Sequence, residues 1–230
     1  MLFLFNCVII YHMKDIVLEK YVNKLNKCDD FDEVVKTIHD SARAVNIPII
    51  QDDGLDFLLF IVKVLKPNRI LELGTAVGFS AIMMAKSTNA TIDTIERNQE
   101  MYEMAISNIK NLSLEDRINV HFCDALEIDL KELKSNYDLI FIDAGKAQNI
   151  KFFTKFSPLL SDNGIILTDN ILFHGYVEEY EKNGKVNGSK DLNALVRKIH
   201  EYNKWLRELD DYDTTFLNIG DGIAVTRKRA

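Results

Sequence analysis

Cysteine is scarce in this 230-residue chain. Only Cys7, Cys28 and Cys123 occur, an odd number without the paired spacing of a zinc site or a redox motif. That excludes a disulfide framework and points to reduced thiols in a cytoplasmic protein, where the three read as small apolar residues. Positive charge is short too: 28 Lys and Arg stand against 35 Asp and Glu, a formal charge of -7 with a pI near 5.3. Such a chain has no general attraction for polyanions, so a nucleic-acid partner would need a local basic patch. The apolar opening M-L-F-L-F-N-C-V-I-I-Y-H falls well below the ~20 residues that span a bilayer. It also lacks the basic leading region and small-residue cleavage site of a secretory signal. Internal repeats and low-complexity segments are absent.

What is present is enough apolar residue, 47% of the chain, to build one sizeable core and one domain. Met13-Lys14-Asp15 opens an amphipathic helix. This predicts Met13 as the natural start, residues 1–12 as a non-native or disordered extension, and 13–230 as the domain. From Met13 to Lys66 the apolar residues recur at helical spacing and predict three helices, with Asp30 or Asp32 capping the second and Pro48 separating it from the third. Such a helical prelude could roof a pocket or form the face of a homodimer.

Beyond it the period changes. Short apolar runs alternate with longer amphipathic ones, the pattern of a parallel sheet covered on both faces. Strands are predicted at 69–73, 91–95, 118–122, 137–142 and 164–168, with helices near 78–86, 99–112, 129–135, 148–160 and 191–209 and a polar loop over 177–189. Two apolar runs joined by Gly220-Asp221-Gly222 close the chain as an antiparallel hairpin. The fold class is therefore α/β and Rossmann-like: seven strands, mostly parallel, with the helices in front.

The chemistry starts in R-I-L-E-L-G-T-A-V-G-F-S, residues 69–80. Gly74 and Gly78, with Thr75 between them, allow a tight turn and a ligand's close approach at the end of the first strand. A dinucleotide fingerprint needs G-x-G-x-x-G, and the third glycine is missing, which disfavours a dehydrogenase. Glu72, Glu96 and Asp124 sit near the ends of the first three strands, and Glu96 stands where an acidic group accepts both ribose hydroxyls. Three carboxylates suit a nucleoside that is neutral or cationic rather than phosphorylated, and S-adenosylmethionine, a sulfonium without phosphate, fits. Asp143 ends the fourth strand and Asp169-Asn170 the fifth. Their hard oxygens suit Mg²⁺ or a similar divalent cation; alternatively T-D-N caps the next segment and Asp143 serves the cofactor. Lys146 is either a surface lysine or a proton acceptor. His174 follows the metal triplet and could line the substrate entrance, whereas His39, His121 and His200 have no partner spacing. Trp205 reads as part of a packed helix face, and turn geometry accounts for Asp221.

E-L-G-T-A-V-G-F-S, T-I-E-R, F-I-D-A-G-K and T-D-N-I-L-F-H-G, in this order and spacing, resemble the cation-dependent class I O-methyltransferases related to caffeoyl-CoA and catechol methyltransferases. I-H-E-Y-N-K-W-L, D-Y-D-T-T and G-D-G-I-A-V-T-R-K-R resemble the carboxyl end of a subgroup that methylates 5-hydroxyuridine at the wobble position of bacterial tRNA. The resemblance implies that Glu72, Gly74, Ser80, Glu96, Asp124, Ala125 and Asp143 line an S-adenosylmethionine site, joined by Ile50, where the subgroup usually has methionine. It implies Asp143, Asp169 and Asn170 as metal ligands and Lys146 as a general base. A tRNA anticodon loop would be the partner. Its candidate phosphate contacts run from Arg43, Lys146, Lys151 and Lys155 through Lys182, Lys185, Lys190 and Arg197 to Arg227, Lys228 and Arg229. The alternatives are a small catechol-like acceptor and a non-catalytic S-adenosylmethionine- or RNA-binding module.

Overall fold

The structure, a computed structural model, describes residues 31–229 together with Tyr21 and Leu25. The expected extension over 1–12 and the first helix from Met13 lie outside the described residues, apart from Tyr21 and Leu25, which are helical. Helix α1 (Glu33–Ala44) begins where the Asp32 carboxylate accepts the Val35 N–H at 3.0 Å, and buries Val35, Ile38 and Ala42 along one stripe. Helix α2 (Asp52–Leu65) stops at Lys66, whose left-handed backbone precedes Pro67.

Strand β1 (Arg69–Leu73), α3 (Phe79–Ser87), β2 (Thr91–Glu96), α4 (Gln99–Asn111), β3 (Ile118–Phe122), β4 (Tyr137–Ile142), α5 (Asn149–Phe156) and β5 (Leu160–Thr168) alternate as expected. Then come α6 (Tyr176–Asn183), α7 (Lys190–Glu208) and the hairpin β6 (Tyr212–Leu217) and β7 (Ile223–Lys228). The sheet order is β3-β2-β1-β4-β5-β7-β6. The first five strands pair in parallel and β7 is antiparallel to both its neighbours, so the Rossmann-like sheet and its closing hairpin are as expected. Successive residues feed opposite layers. Ile70, Leu139 and Phe141 pack under α1 to α4, while Leu71, Leu73, Ile140 and Ile142 meet Phe152, Phe153 and Phe156 of α5 and Tyr202 and Leu206 of α7. Burial on both faces explains why these strands read as continuous apolar runs. Among the described residues no helix is long and apolar enough to cross a membrane.

Four local expectations are corrected. The helix expected over 129–135 is only a 3₁₀ turn, Leu130–Glu132. The helix expected over 148–160 breaks into 3₁₀ turns at Lys146–Gln148 and Ser157–Leu159 around α5, with Pro158 opening the second. Strand β5 then starts at Leu160, through a bulge opposite Tyr137 and Leu139; its polar Ser161-Asp162-Asn163 hid that start. Finally, 177–189 is not all loop. Helix α6 occupies most of it, concealed by a polar composition because Val177 is its single buried residue. The chain reverses between β1 and β4, and that switch point opens a crevice at the carboxyl ends of the strands.

Candidate functional site

A cavity of about 580 Å³ lies in that crevice. Its walls include Ile50, Gly74, Thr75, Ser80, Glu96, Asp124, Ala125, Asp143, Lys146, Asp169 and Asn170, so one hollow gathers most of the residues picked from sequence. Glu72 and Gly78 stand behind the wall. Glu72 is fully buried, accepting hydrogen bonds from Ser80 Oγ at 2.6 Å and Thr94 Oγ1 at 2.5 Å. Thr75 Oγ1 continues that chain to Thr94 at 2.7 Å. Burial raises the Glu72 carboxyl to about 7 against the pull of both hydroxyls, and its contact with the hollow is indirect, through Ser80. Gly78, left-handed at φ 84°, faces Ala105 and Ile82 instead.

At the β2 end of the hollow, the Glu96 carboxylate is fixed by backbone donors. Oε1 accepts the N–H groups of Arg97 at 2.9 Å and Asn98 at 2.8 Å, and Oε2 accepts that of Ala76 at 2.9 Å. A carboxylate has about four acceptor positions, which leaves one on Oε2 for a ligand hydroxyl. Asp124 accepts from the Leu126 amide at 2.9 Å and meets Arg97 at 3.4 Å. Ile50 comes from the segment between α1 and α2, held by Arg43 donating to the Ile50 carbonyl at 2.9 Å.

At the other end, sheet pairing runs one residue past the strands. The Asp143 amide donates to Leu73 O at 2.9 Å and the Asp169 amide to Ile142 O at 3.0 Å, which sets the two carboxyls at neighbouring strand ends. Asp169 Oδ1 accepts the Asn170 amide at 2.7 Å, while no donor among the described residues reaches the Asp143 carboxyl. Burial pushes both acids well above the ordinary carboxylate range. The Lys146 charge opposes this at both, Glu72 adds to it at Asp143, and Asp143 adds to it at Asp169. Two neighbouring acids, Asp169 buried and Asp143 half-buried, that resist ionising together are what a bound cation would relieve. The donor set, two carboxylates and an amide oxygen, fits a hard divalent ion with water or substrate completing its shell. Among the described residues no group of three His, Cys, Asp or Glu side chains is arranged to hold a metal.

The rim carries residues the sequence did not single out, notably Arg97 and Phe173, together with Asp221, which the sequence read as a turn residue. Phe173 and His174 have left-handed backbones, and their rings lie 5.3 Å apart. His174 lines the entrance as expected. His39, His121 and His200 instead meet Asp52, Asp93 and Glu181 outside the hollow. Trp205 packs edge-on against Phe153 at 5.3 Å. Asp221 is 5% exposed and bonded to the site, so turn geometry alone does not account for it. The basic residues divide. Lys155 donates to the carbonyls of Leu126 and Ile128. Arg227 pairs level with Ile165, well back from the strand end, so Arg227, Lys228 and Arg229 lie toward the opposite edge of the sheet from the cavity.

The model of the O-methyltransferase family matches residues 26–229. A caffeoyl-CoA O-methyltransferase from Populus kitakamiensis is 26% identical over 215 residues, 90% of this chain and 88% of its own length. A flavonoid 3',5'-methyltransferase from Vitis vinifera is 27% identical over 192 residues, 80% and 79% of the two chains. Among solved structures, a Staphylococcus aureus protein assigned provisionally as a caffeoyl-CoA O-methyltransferase is 32% identical, with a TM-score of 0.85 over 93% of this chain and 100% of that one. A Bacillus cereus O-methyltransferase in complex with SAH, 23% identical, shares the fold at a TM-score of 0.77 over 93% and 97% of the two chains. With a family model running from before the first described helix to the last strand, the chain belongs to the O-methyltransferase family.

Proposed function

We propose that this enzyme transfers a methyl group from S-adenosylmethionine, with a divalent cation such as Mg²⁺, to the hydroxyl of 5-hydroxyuridine at the tRNA wobble position. The observation that carries the reading is the pair of Asp143, half-buried, and Asp169, buried, with Asn170, opening on the same hollow as Glu96. Glu96 would accept a ribose hydroxyl at its free Oε2 position and Asp124 the adenine edge, while Ile50 and Ala125 would supply apolar walls. Asp143, Asp169 and Asn170 would hold the cation. When bound, the cofactor and cation would supply a sulfonium methyl and a positive charge that lowers the pKa of the acceptor hydroxyl. Lys146, on the wall next to both acids, would in its neutral form take the hydroxyl proton. The rest is orientation and charge placement.

A bulky acceptor is supported by the wall itself, which takes no residue between His174 and Asp221; α6 does not lid the hollow. Arg43 and Arg97 on the wall, with Lys185 and Lys190 at the α6–α7 loop, are the cations we assign to phosphates. A catechol-like small acceptor is the second reading, favoured by the caffeoyl-CoA and flavonoid names of the relatives. Mass spectrometry of tRNA nucleosides from a deletion strain separates the two: 5-methoxyuridine is expected to vanish as 5-hydroxyuridine accumulates, and unchanged 5-methoxyuridine defeats the RNA reading.

A homodimer is proposed as well. Phe60 and Val64, one turn apart on α2, are 62% and 64% exposed, an apolar pair that a second copy would cover. Light scattering is expected to give twice the 26.4 kDa chain mass, and a monomeric mass at micromolar concentration refutes it.

A further inference from the structure

We propose that Asp221 is a positioning residue that turns the Asn170 side-chain amide so that its oxygen, rather than its nitrogen, faces the cation. The inference rests on the cation reading above. Asparagine is a usable ligand only through Oδ1, and nothing in its own shape chooses which end points inward. Here the choice is made by a residue 51 positions away: Asn170 Nδ2 donates to Asp221 Oδ2 at 3.3 Å. A carboxylate can only accept, so it takes the nitrogen end and leaves Oδ1 on the opposite side.

The placement of Asp221 is itself built in. The turn 220–222 joins β6 to β7, and β7 lies beside β5, which brings the turn against the segment following Asp169. The Leu172 amide donates to Asp221 O at 2.9 Å and the Ile171 amide to Gly222 O at 3.1 Å. Gly222, at φ 86°, is seated so closely that a Cβ there would meet Ile171 Cγ1 at 2.9 Å. From the other side Gly220 N–H donates to Asp53 Oδ2 at 2.8 Å. The second carboxylate oxygen, Oδ1, accepts the His174 amide, and the His174 ring nitrogen Nδ1 lies 3.6 Å from it. Asn170, Phe173 and His174 all have left-handed backbones, φ 61°, 47° and 56°, conformations that non-glycine residues keep only when their surroundings hold them. One buried carboxylate therefore grips both ends of this strained loop.

A residue needed only for the turn would tolerate Asp221→Asn, since asparagine serves such turns equally well. A positioning residue would not: the amide can turn its nitrogen toward Asn170 and set donor against donor, or invert the Asn170 amide. The test is Mn²⁺ binding to the full chain followed by electron paramagnetic resonance, with thermal unfolding of the cation-free protein in parallel. Asp221→Asn is expected to weaken Mn²⁺ binding about 10–100-fold while the unfolding temperature stays near wild type. Asp221→Ser, which can still accept from the His174 amide, carries the same expectation if the first variant fails to fold. Because Asp221 acts through Asn170, adding Asp221→Asn to Asn170→Ala is expected to change nothing further. Wild-type affinity in Asp221→Asn beside a non-binding Asp169→Ala overturns this proposal and leaves the cation reading standing. A further loss in the double variant overturns it too, by showing that Asp221 acts directly through its charge. A wild-type protein that binds no Mn²⁺ overturns the cation reading beneath it.

Discussion

Asp169→Ala lowers methyl transfer by about a thousandfold or more while leaving the fold intact. Stabilising the charge of a reacting oxygen through a cation is worth several kcal/mol, and each ~1.4 kcal/mol lost from that stabilisation is tenfold in rate. Asp169 follows β5 directly and is half of the acid pair, so its loss leaves one carboxylate and one amide, too few for a cation that needs its remaining positions for water and acceptor. The readout is release of S-adenosylhomocysteine with the acceptor at saturation, and excess chelator on the wild type is expected to reproduce it. Activity within tenfold of wild type in either case would reject the cation role. Stability tells the same story from the other side. Burial and the Asp143 charge raise the Asp169 carboxyl well above its ordinary range, so the folded cation-free protein holds this proton more tightly than the unfolded chain does. The stabilisation from the neutral acid is present below the ordinary carboxylate pKa and is lost as pH rises through the raised one. Wild type without cation therefore loses stability toward alkaline pH, and Asp169→Ala, with nothing to ionise there, loses less. The expected measurement is an unfolding-temperature difference between the two proteins that moves in favour of the variant between pH 6 and pH 9.

Much of this was legible in the residues because burial writes itself into the chain. The runs R-I-L-E-L, Y-D-L-I-F-I and G-I-I-L-T sit in strands covered on both faces, and each is followed at once by an acid or glycine that lines the hollow. Glu96, Asp124, Asp143 and Asp169 could be placed because a parallel sheet sends all its strand ends to one edge. What escaped were features without a local signature. Helix α6 buries only Val177, so its apolar period is too faint to read. Arg97 and Phe173 join the hollow through loop conformation. Asp221 depends on the order β5-β7-β6, which no spacing within G-D-G contains. Nor does charge alone say which end of β7 reaches the site, and Arg227 pairs level with Ile165, back from the strand end where the hollow opens.

Gly74→Ala tests whether the turn after β1 does more than reverse the chain. Gly74 has φ 100°, and a Cβ placed on it would run into the Asp143 carbonyl, with the carbonyl carbon at 2.9 Å and Ala144 Cα at 3.2 Å. Backbone cannot rotate away as a side chain can. The left-handed strain of alanine is roughly 1–2 kcal/mol, and forcing extra bulk into close-packed structure costs about 1–3 kcal/mol more. The expected sum near 3 kcal/mol lowers the unfolding temperature by about 6–12 °C for a chain of this length. The atoms displaced belong to the residue that would bind both cation and cofactor, and a shift of about 1 Å at a reacting centre can lower the rate about a hundredfold. Gly184→Ala is the control. Gly184 ends α6 at φ 68°, and a Cβ there would meet nothing within 4 Å, so it carries the backbone strain alone, about 1 kcal/mol, and leaves turnover unchanged. If Gly74→Ala melts with Gly184→Ala and keeps its rate within threefold, the Asp143 backbone yields without consequence. If it melts several degrees lower and loses its rate, the missing side chain at position 74 is what lets the ends of β1 and β4 close on one another, and the position of the Asp143 carboxylate is set by that approach.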